Sequence, residues 1–330
     1  MLKHHIKLFF RNLARNKSTF FINLVGLSSG LTCVLLVFLW VSDELNKDKF
    51  HVNKERLYQV FRNVPNGQGS LNTYGSNSSL MLTSLQEEVP EVEKAVAVFG
   101  INGNAMLQTE DKKLGSTGFF ASEDYFKLFS IPLLYGDANE VLQDINAVVI
   151  SKEMAKTLFG TNTYPIGKNL IIKSGVNSFE DLFTVTGIFE IPKNSSENFD
   201  FVLPYKRFLE DRDPQDIHWG SNSSSMYALL KEEVKIDALN SKIKDFIKKK
   251  DSENQASVFF GLYTDNYLQN RFVDGKRSGG RITYVILLSI IAFFILCIAC
   301  INFMNLSTAK ASKRIKEIGV KKVNGAKRNA

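Results

Sequence analysis

Cysteine is scarce in this chain of 330 residues, and where it stands matters more than its number. Cys33, Cys297 and Cys300 all lie inside uncharged apolar blocks. None falls between residues 43 and 281, so that stretch holds no disulfide, whatever the redox state around it. Cys297 and Cys300 have C-x-x-C spacing, which suits a redox or metal pair. No basic group beside them would lower a thiol pKa, and small apolar fillers of a helix are the reading preferred. Histidine is equally sparse. His4 and His5 have no carboxylate or cysteine nearby, and His51 and His218 stand far apart without ligand spacing, so no metal centre is expected. A phosphate loop is missing too. Gly167-Lys168 would need Gly at 162 and Ser or Thr at 169, and asparagine stands at both. Acidic pairs such as Glu87-Glu88 and Glu232-Glu233 read as solvated faces. No catalytic constellation and no cofactor site emerges, so the chain is not read as an enzyme.

Acids are absent from residues 1–19, which carry Lys3, Lys7, Arg11, Arg15 and Lys17. Residues 310–330 carry eight bases and the single acid Glu317. These flanks hold +5 and +7 of a chain total of +7, which leaves −5 on residues 20–309. The basic balance therefore belongs to the flanks, and a nucleic-acid partner, which needs a basic face on a folded domain, is not expected.

What is present is two long apolar runs. Tyr284 to Phe303 carries no charge, and none appears until Lys310. Roughly 20 helical residues at about 1.5 Å each cross a hydrocarbon core of about 30 Å. Phe20 to Ser42 is the other run, too long for a signal peptide and without an A-x-A-like site after it. Gly26 and Gly30 in it have the G-x-x-x-G spacing that admits a second helix closely, although glycine is common in membrane helices generally. Ahead of it, Leu2, Ile6, Phe9, Phe10 and Leu13 recur at helical spacing among bases spaced by four. That pattern reads as an amphipathic surface helix over 1–19 or as a plain basic flank. Because positive charge marks the cytoplasmic side, both ends are expected inside the cell and residues 43–281 outside.

The outer region reads as mixed α and β structure with its own core. Arg56–Asn63 alternates as a strand, Leu80–Glu88 as a helix and Val92–Phe99 as a strand. Ser225–Lys231, a helix capped by Asp237 with Leu239, Ile243, Phe246 and Ile247 on its apolar face, and Ser257–Tyr263 repeat the plan. Between the two strand–helix–strand units lies an insertion of about 110 residues. In it Phe119-Phe120 opens a helix through Phe126, Ala147–Ile150 is a strand, and Ser151 caps a helix ended by Gly160. Asn, Ser and Gly cluster at Asn66–Ser79 and Gly220–Ser225, which read as mobile loops.

The tail, Lys316-Glu317-Ile318-Gly319-Val320-Lys321-Lys322-Val323-Asn324-Gly325-Ala326, is more than a basic anchor. Gly319 and Gly325 would each cost a helix about 1 kcal/mol relative to Ala, which asks for a bend at the surface. Its E-I-G-V-K-K-V-N-G-A run resembles the E-I-G-x-R-K-x-x-G-A segment of permease subunits of the macrolide-exporter type of ABC transporter, the MacB/FtsX-like family, in its Bacteroidetes form. K-L-F-F-R-N-L-A-R-N-K at 7–17, F-H-V-N-K-E-R-L-Y-Q-V at 50–60, V-P-E-V-E at 89–93 and Y-F-K-L-F-S-I-P-L-L-Y-G at 125–136 are similar as well. So are V-V-I-S-K-E-M-A-K at 148–156, F-G at 159–160, P-I-G-K at 165–168 and F-T-V-T-G-I-F at 183–189.

The resemblance implies transmembrane helices at 20–42 and 282–309 and an outer domain with porter-like parts at about 56–110 and 225–268. An inserted lobe would occupy about 115–224. It makes Glu317, Gly319, Lys321, Lys322, Gly325 and Ala326 a cytoplasmic coupling segment at 310–330 that contacts an ATPase on a separate subunit. Lys321 stands where the family has Arg, which weakens a bidentate carboxylate contact. Further implied partners are a second permease copy, membrane lipid and a periplasmic adaptor, in the bacterial inner membrane. The family continues with more membrane helices past this point, so transport by this chain alone is not expected. The alternative is a two-span sensor whose outer domain binds a ligand, and such a receptor would continue as a heptad-patterned linker helix.

Overall fold

The computed structural model describes residues 17–101, 105–161, 164–174 and 179–324. Two long helices form one compact unit, and Asn46–Arg281 forms another.

Helix α1 (Lys17–Leu45) leads into the second unit, which begins with strand β1 (Leu57–Pro65), the short strands β2 (Leu71–Tyr74) and β3 (Ser76–Ser78), helix α2 (Leu80–Glu88) and strand β4 (Val92–Gly100). Next come β5 (Ala105–Gln108), β6 (Lys113–Ser116), β7 (Gly118–Ala121), α3 (Tyr125–Leu128), β8 (Leu133–Tyr135), β9 (Ala147–Ser151) and α4 (Lys152–Phe159). The insertion ends with β10 (Asn169–Ser174), β11 (Phe179–Phe189), β12 (Phe201–Pro204) and α5 (Tyr205–Glu210). Strand β5, expected in the first porter-like part, pairs instead with β6 and β10 of the insertion. The chain then returns through β13 (Asn222–Leu230), α6 (Ile236–Ile243), α7 (Phe246–Lys250), β14 (Ser257–Leu262), α8 (Asp265–Leu268) and the ribbon β15 (Phe272–Val273) and β16 (Lys276–Arg277). Helix α9 (Arg281–Val323) closes the described chain.

One sheet of 14 strands runs through the second unit, in the order β14-β1-β13-β4-β7-β12-β9-β11-β10-β5-β6, with β2 paired to β1, β3 to β13 and β8 to β11 off this path. Its first four strands are mutually antiparallel, and each strand–helix–strand unit brackets a strand of the other. That interleaving is the split β-α-β arrangement. The six elements match the sequence reading closely, because each carries its own period. Leu239, Ile243 and Ile247 are buried at helical spacing, against β14. Each fully buried aliphatic side chain contributes about 1.5–3 kcal/mol. Two details differ. The helix breaks between α6 and α7, and Lys235 holds the cap position while Asp237 sits in the first turn, where its charge still suits the dipole.

The insertion continues the same sheet, joined where β7 pairs with β4 on one side and β12 on the other. Phe119 and Phe120 do not open a helix. They lie in β7 and face opposite sides of the sheet, Phe120 in one core cluster and Phe119 in the other. Both faces are covered here, so the alternation that marks a strand is hidden by apolar residues on each side. Ser151 does cap α4, its Oγ accepting from the Met154 N–H at 3.1 Å, and Gly160 at φ +87° ends it. The Asn/Ser/Gly clusters are also not free loops. Asn66–Ser79 contains β2 and β3, and β13 begins at Asn222. Two copies of the pentapeptide Gly-Ser-Asn-Ser-Ser, at 75–79 and 220–224, lie against each other through the antiparallel β3–β13 pairing. Side-chain bonds hold them: Asn77 Nδ2 donates to the Val60 carbonyl at 2.9 Å and Ser78 Oγ to the His218 carbonyl at 2.8 Å.

In the helical unit, Leu24–Leu45 and Arg281–Asn305 are long and apolar enough to cross a membrane. Gly26 and Gly30 lie on the half-buried stripe of α1. A methyl group built on Gly30 would stand 3.0 Å from Ala299 Cβ, and one on Gly26 would stand 3.2 Å from Asn302 Nδ2. The order of those contacts makes the pair antiparallel. Phe38, Leu36, Tyr284, Phe293 and Ile298 are among the large apolar side chains exposed elsewhere on the two helices.

Candidate functional site

The tail expected to be functional lies on α9, which runs through Gly319 without a break. The bend expected at Gly319 is therefore absent. The helix already under way since Arg281 carries the chain through one unfavourable glycine, since propagation costs far less than nucleation. Gly319, Lys322, Ile318, Val320 and Val323 are exposed, and a methyl group on Gly319 would meet nothing within 4 Å. Glu317 and Lys321 lie in the helix. Their side chains, together with Gly325 and Ala326, are outside the described residues. The span's amino-terminal neighbour, the basic stretch 1–16, is outside them as well.

A second feature gave no sequence signal. The segments that connect the two long helices to the sheet are fastened at different places. The chain leaving α1 is tied to the insertion. Asp48 donates its N–H to the Asn194 carbonyl at 2.8 Å, and its carboxylate accepts from the Ser196 N–H at 2.8 Å and from Ser196 Oγ at 2.5 Å. Three residues on, His51 Nδ1–H donates to the Phe129 carbonyl at 2.5 Å, and the Val52 N–H donates to Ser130 Oγ at 3.2 Å. The chain approaching α9 is tied instead to β1, β2 and β14. Arg277 donates to the carbonyls of Gln269 at 2.8 Å and Leu262 at 3.1 Å and to Asn266 Oδ1 at 2.5 Å. Its guanidinium lies over Phe61 and Phe272, 5.5 and 5.2 Å from the ring centroids. Asn266 passes the bond on to Gln59 Oε1 at 2.6 Å, and Asp274 Oδ1 accepts from the Leu71 N–H at 3.0 Å.

Backbone strain marks the same places. Four described residues other than glycine have positive φ, and three of them, Asp48, Ser130 and Asp274, sit in these two fastenings. Such conformations cost of order 1–3 kcal/mol each and persist where surrounding bonds over-determine them.

Residues of both fastenings line a polar pocket of about 210 Å³, among them Asp48, Glu197 and Tyr263 and also Gln59, Asn266 and Tyr267. His51 stacks against Tyr263 and Phe129 edge-on, with its Nε2 buried and without a hydrogen-bond partner. Burial holds its pKa below the ordinary value, against the opposing pull of the Phe129 bond and the Asp48 charge. Glu197 keeps a solvent-facing edge, yet the protein packed around its carboxyl, and then Asp48, raise its pKa. Burial first, and Glu197 second, raise the phenols of Tyr125, Tyr227 and Tyr263. His218 lies elsewhere, accepting from the Gly220 N–H, and among the described residues no three metal-binding groups cluster.

The shifts give a signed pH dependence. Below its ordinary value of 6.5, His51 takes up a proton more readily unfolded than folded, so stability falls as pH drops below about 6.5. Glu197 acts oppositely: its contribution is present below its ordinary range and lost as pH rises through the raised value. Thermal melts from pH 7.5 to 5 are expected to show the loss on the acid side. His51→Gln should flatten that loss. An acid limb left unchanged in His51→Gln would rule out this assignment.

Residues 20–246 match the family model described as the MacB-like periplasmic core domain. The chain is 25% identical over 228 residues to the macrolide export ATP-binding/permease protein MacB of Neisseria meningitidis, and 24% identical to that of Neisseria gonorrhoeae. Those alignments cover 67% of this chain and 32% of each relative, so the chain spans about a third of their length. A crystal structure of a domain assigned to a permease protein of Porphyromonas gingivalis superposes with a TM-score of 0.53 at 22% identity. It covers 64% of this chain and 93% of that one, and shares its fold.

Proposed function

Because the chain belongs to the MacB-like periplasmic core domain family of ABC-type permeases, we propose that it is the mechanical part of an exporter driven by an ATPase on a separate subunit. Helices α1 and α9 cross the bacterial inner membrane over 20–42 and 282–309. Residues 43–281 face the periplasm, and the basic ends 1–19 and 310–330 face the cytoplasm. The charge asymmetry of the flanks and the exposed apolar surface of both helices support that placement. A second permease copy, membrane lipid and a periplasmic adaptor complete the assembly. The matched region is permease and not ATPase, in keeping with the missing phosphate loop.

The observation that carries the reading is the pair of fastenings. Helix α1 continues into a segment bonded to the insertion, and α9 is preceded by one bonded to the split β-α-β half. A displacement of one helix against the other would therefore load the seam between two parts of one sheet. Coupling of this kind needs different contacts in two states. Glu317, Gly319, Lys321, Lys322, Gly325 and Ala326 are the surface through which an ATPase would drive it. The uninterrupted helix through Gly319 is what a sensor's output helix would also have, but its sequence sustains no heptad pattern.

The test is ATPase stimulation and export by the membrane-embedded permease carrying Glu317→Gln or Gly319→Ala. A methyl group at 319 meets no atom of the described residues within 4 Å and favours the helix by about 1 kcal/mol. A loss on Gly319→Ala would therefore not come from a clash within the described residues, and a partner surface is its expected source. About tenfold lower stimulation, with unchanged membrane insertion, is expected. Wild-type stimulation and export in both variants would reject the coupling role.

A further inference from the structure

The insertion carries a second cavity, of about 510 Å³, lined by β8, α4 and its end, and Tyr164-Pro165. Its volume falls in the range of small-molecule sites, about 300–1,000 Å³. Its walls are of two kinds. Leu134, Tyr135, Tyr164 and Ile188 form the apolar side. The rings of Tyr135 and Tyr164 meet edge to face, with centroids 5.4 Å apart, and they remain 48% and 61% exposed. Exposed, mutually oriented aromatic side chains of this kind cost solvation without adding to the core, and they mark binding surfaces.

The other side is cationic. Lys152 and Lys156 line the cavity. Lys152 Nζ lies 2.7 Å from Glu190 Oε1, and Lys156 and Lys193 also act on that carboxylate. Glu153 is the other acid close to Lys152. Lys152 is matched by Glu190, whereas Lys156, with no carboxylate within 4 Å among the described residues, leaves one positive charge unmatched on the rim. An apolar, aromatic wall beside an unmatched positive rim selects against cationic guests and gains little from neutral ones.

We infer that this cavity binds a small amphiphile with an anionic head, carboxylate or phosphate, the head at Lys152 and Lys156 and the apolar body on Tyr135, Tyr164 and Leu134. The inference rests on the cavity alone and stands apart from the transport reading. The head group has two sources, a soluble amphiphile or a membrane phospholipid.

The full chain in nanodiscs of phosphatidylcholine is exposed to three photoreactive probes with one dodecyl body: the carboxylate, its methyl ester and the corresponding ammonium. Adducts are mapped by mass spectrometry. The carboxylate should label peptides containing residues 134–135 and 164–165, with the ester and ammonium at background there. Tyr164→Ala and Lys156→Glu should each lower that labelling about tenfold. Both side chains are exposed, so the melting temperature should stay within about 2 °C, as for most surface substitutions. Octyl phosphate added in solution should displace the label if the ligand is soluble. Loss of label on replacing phosphatidylcholine by phosphatidylglycerol, with octyl phosphate ineffective, assigns a phospholipid head. Either result supports the site. Equal labelling by all three probes, labelling confined to α1 and α9, or labelling untouched by both variants and both competitors overturns it.

Discussion

Asp48→Ala should lower the stability of the Asn46–Arg281 unit by about 3 kcal/mol, a fall of roughly 10 °C in melting temperature for a domain of this size. The carboxylate is buried and accepts twice from Ser196, by N–H and by hydroxyl. Hydrogen bonds to a charged group are worth about 1.5–3 kcal/mol, and alanine strips the Ser196 donors of their acceptor. Asp48 also has φ +57°, a conformation that costs an ordinary residue about 1–2 kcal/mol and that Asp and Asn tolerate best. Asp48→Asn is therefore the informative partner. It keeps the backbone tolerance and one good acceptor, and should lose about 1 kcal/mol, the worth of a neutral hydrogen bond. Chemical denaturation of the two variants separates the cases. Equal stability of Asp48→Ala and wild type would mean that the segment after α1 is not held through this residue. Under the mechanical reading, Asp48→Ala should also lower export while ATPase binding is retained, because the helix would then move without loading the insertion.

The second large effect is expected at Gly118, the first residue of β7. A methyl group there would stand 2.6 Å from the Phe201 carbonyl oxygen and 2.7 Å from two atoms of its ring. Phe201 is fully buried and belongs to β12, paired in parallel with β7, so neither the backbone nor the ring has room to yield. Overpacking usually costs about 1–3 kcal/mol, and Gly118→Val should reach the top of that range, about 3 kcal/mol. The change strikes the strand that joins β4 to β12, so the seam between the two parts of the sheet should open first. Amide exchange should rise in β7 and β12 before it rises in β1 and β14. Gly115→Val, three residues away in β6, meets nothing within 4 Å and should stay within about 0.5 kcal/mol of wild type. Similar losses for the two variants would show that chain flexibility, and not the Phe201 contact, fixes glycine at 118.

Some of this was open to reading because the signal is local. The apolar runs announce themselves by length and by lack of charge. The split β-α-β half announces itself by the period of its helix, where Leu239, Ile243 and Ile247 recur on one face, and by strands rich in β-branched and aromatic residues. Ser151 is recognisable as a cap from its neighbours alone. The misreadings share a cause as well. Phe119-Phe120 lies in a strand covered on both faces, where alternation vanishes. The Asn/Ser/Gly stretches look like loops until β3 and β13 are seen to pair across nearly 150 residues. Gly319 looks like a breaker, yet a long helix already nucleated passes through it. The tail remains a matter of sequence, since none of the described residues lies within 4 Å of a methyl group built at Gly319.

By itself the sequence determined where the chain can leave water, where its charges gather and which segments take up helix or strand, all properties of neighbours within a few residues. The tertiary structure alone decided what the segment beside each long helix is bonded to. The Asp48 and Ser196 partners lie 148 residues apart, and Asn266 reaches Gln59 across 207. Contacts of that reach leave no mark on composition or period, because only the folded sheet brings their donors and acceptors within bonding distance.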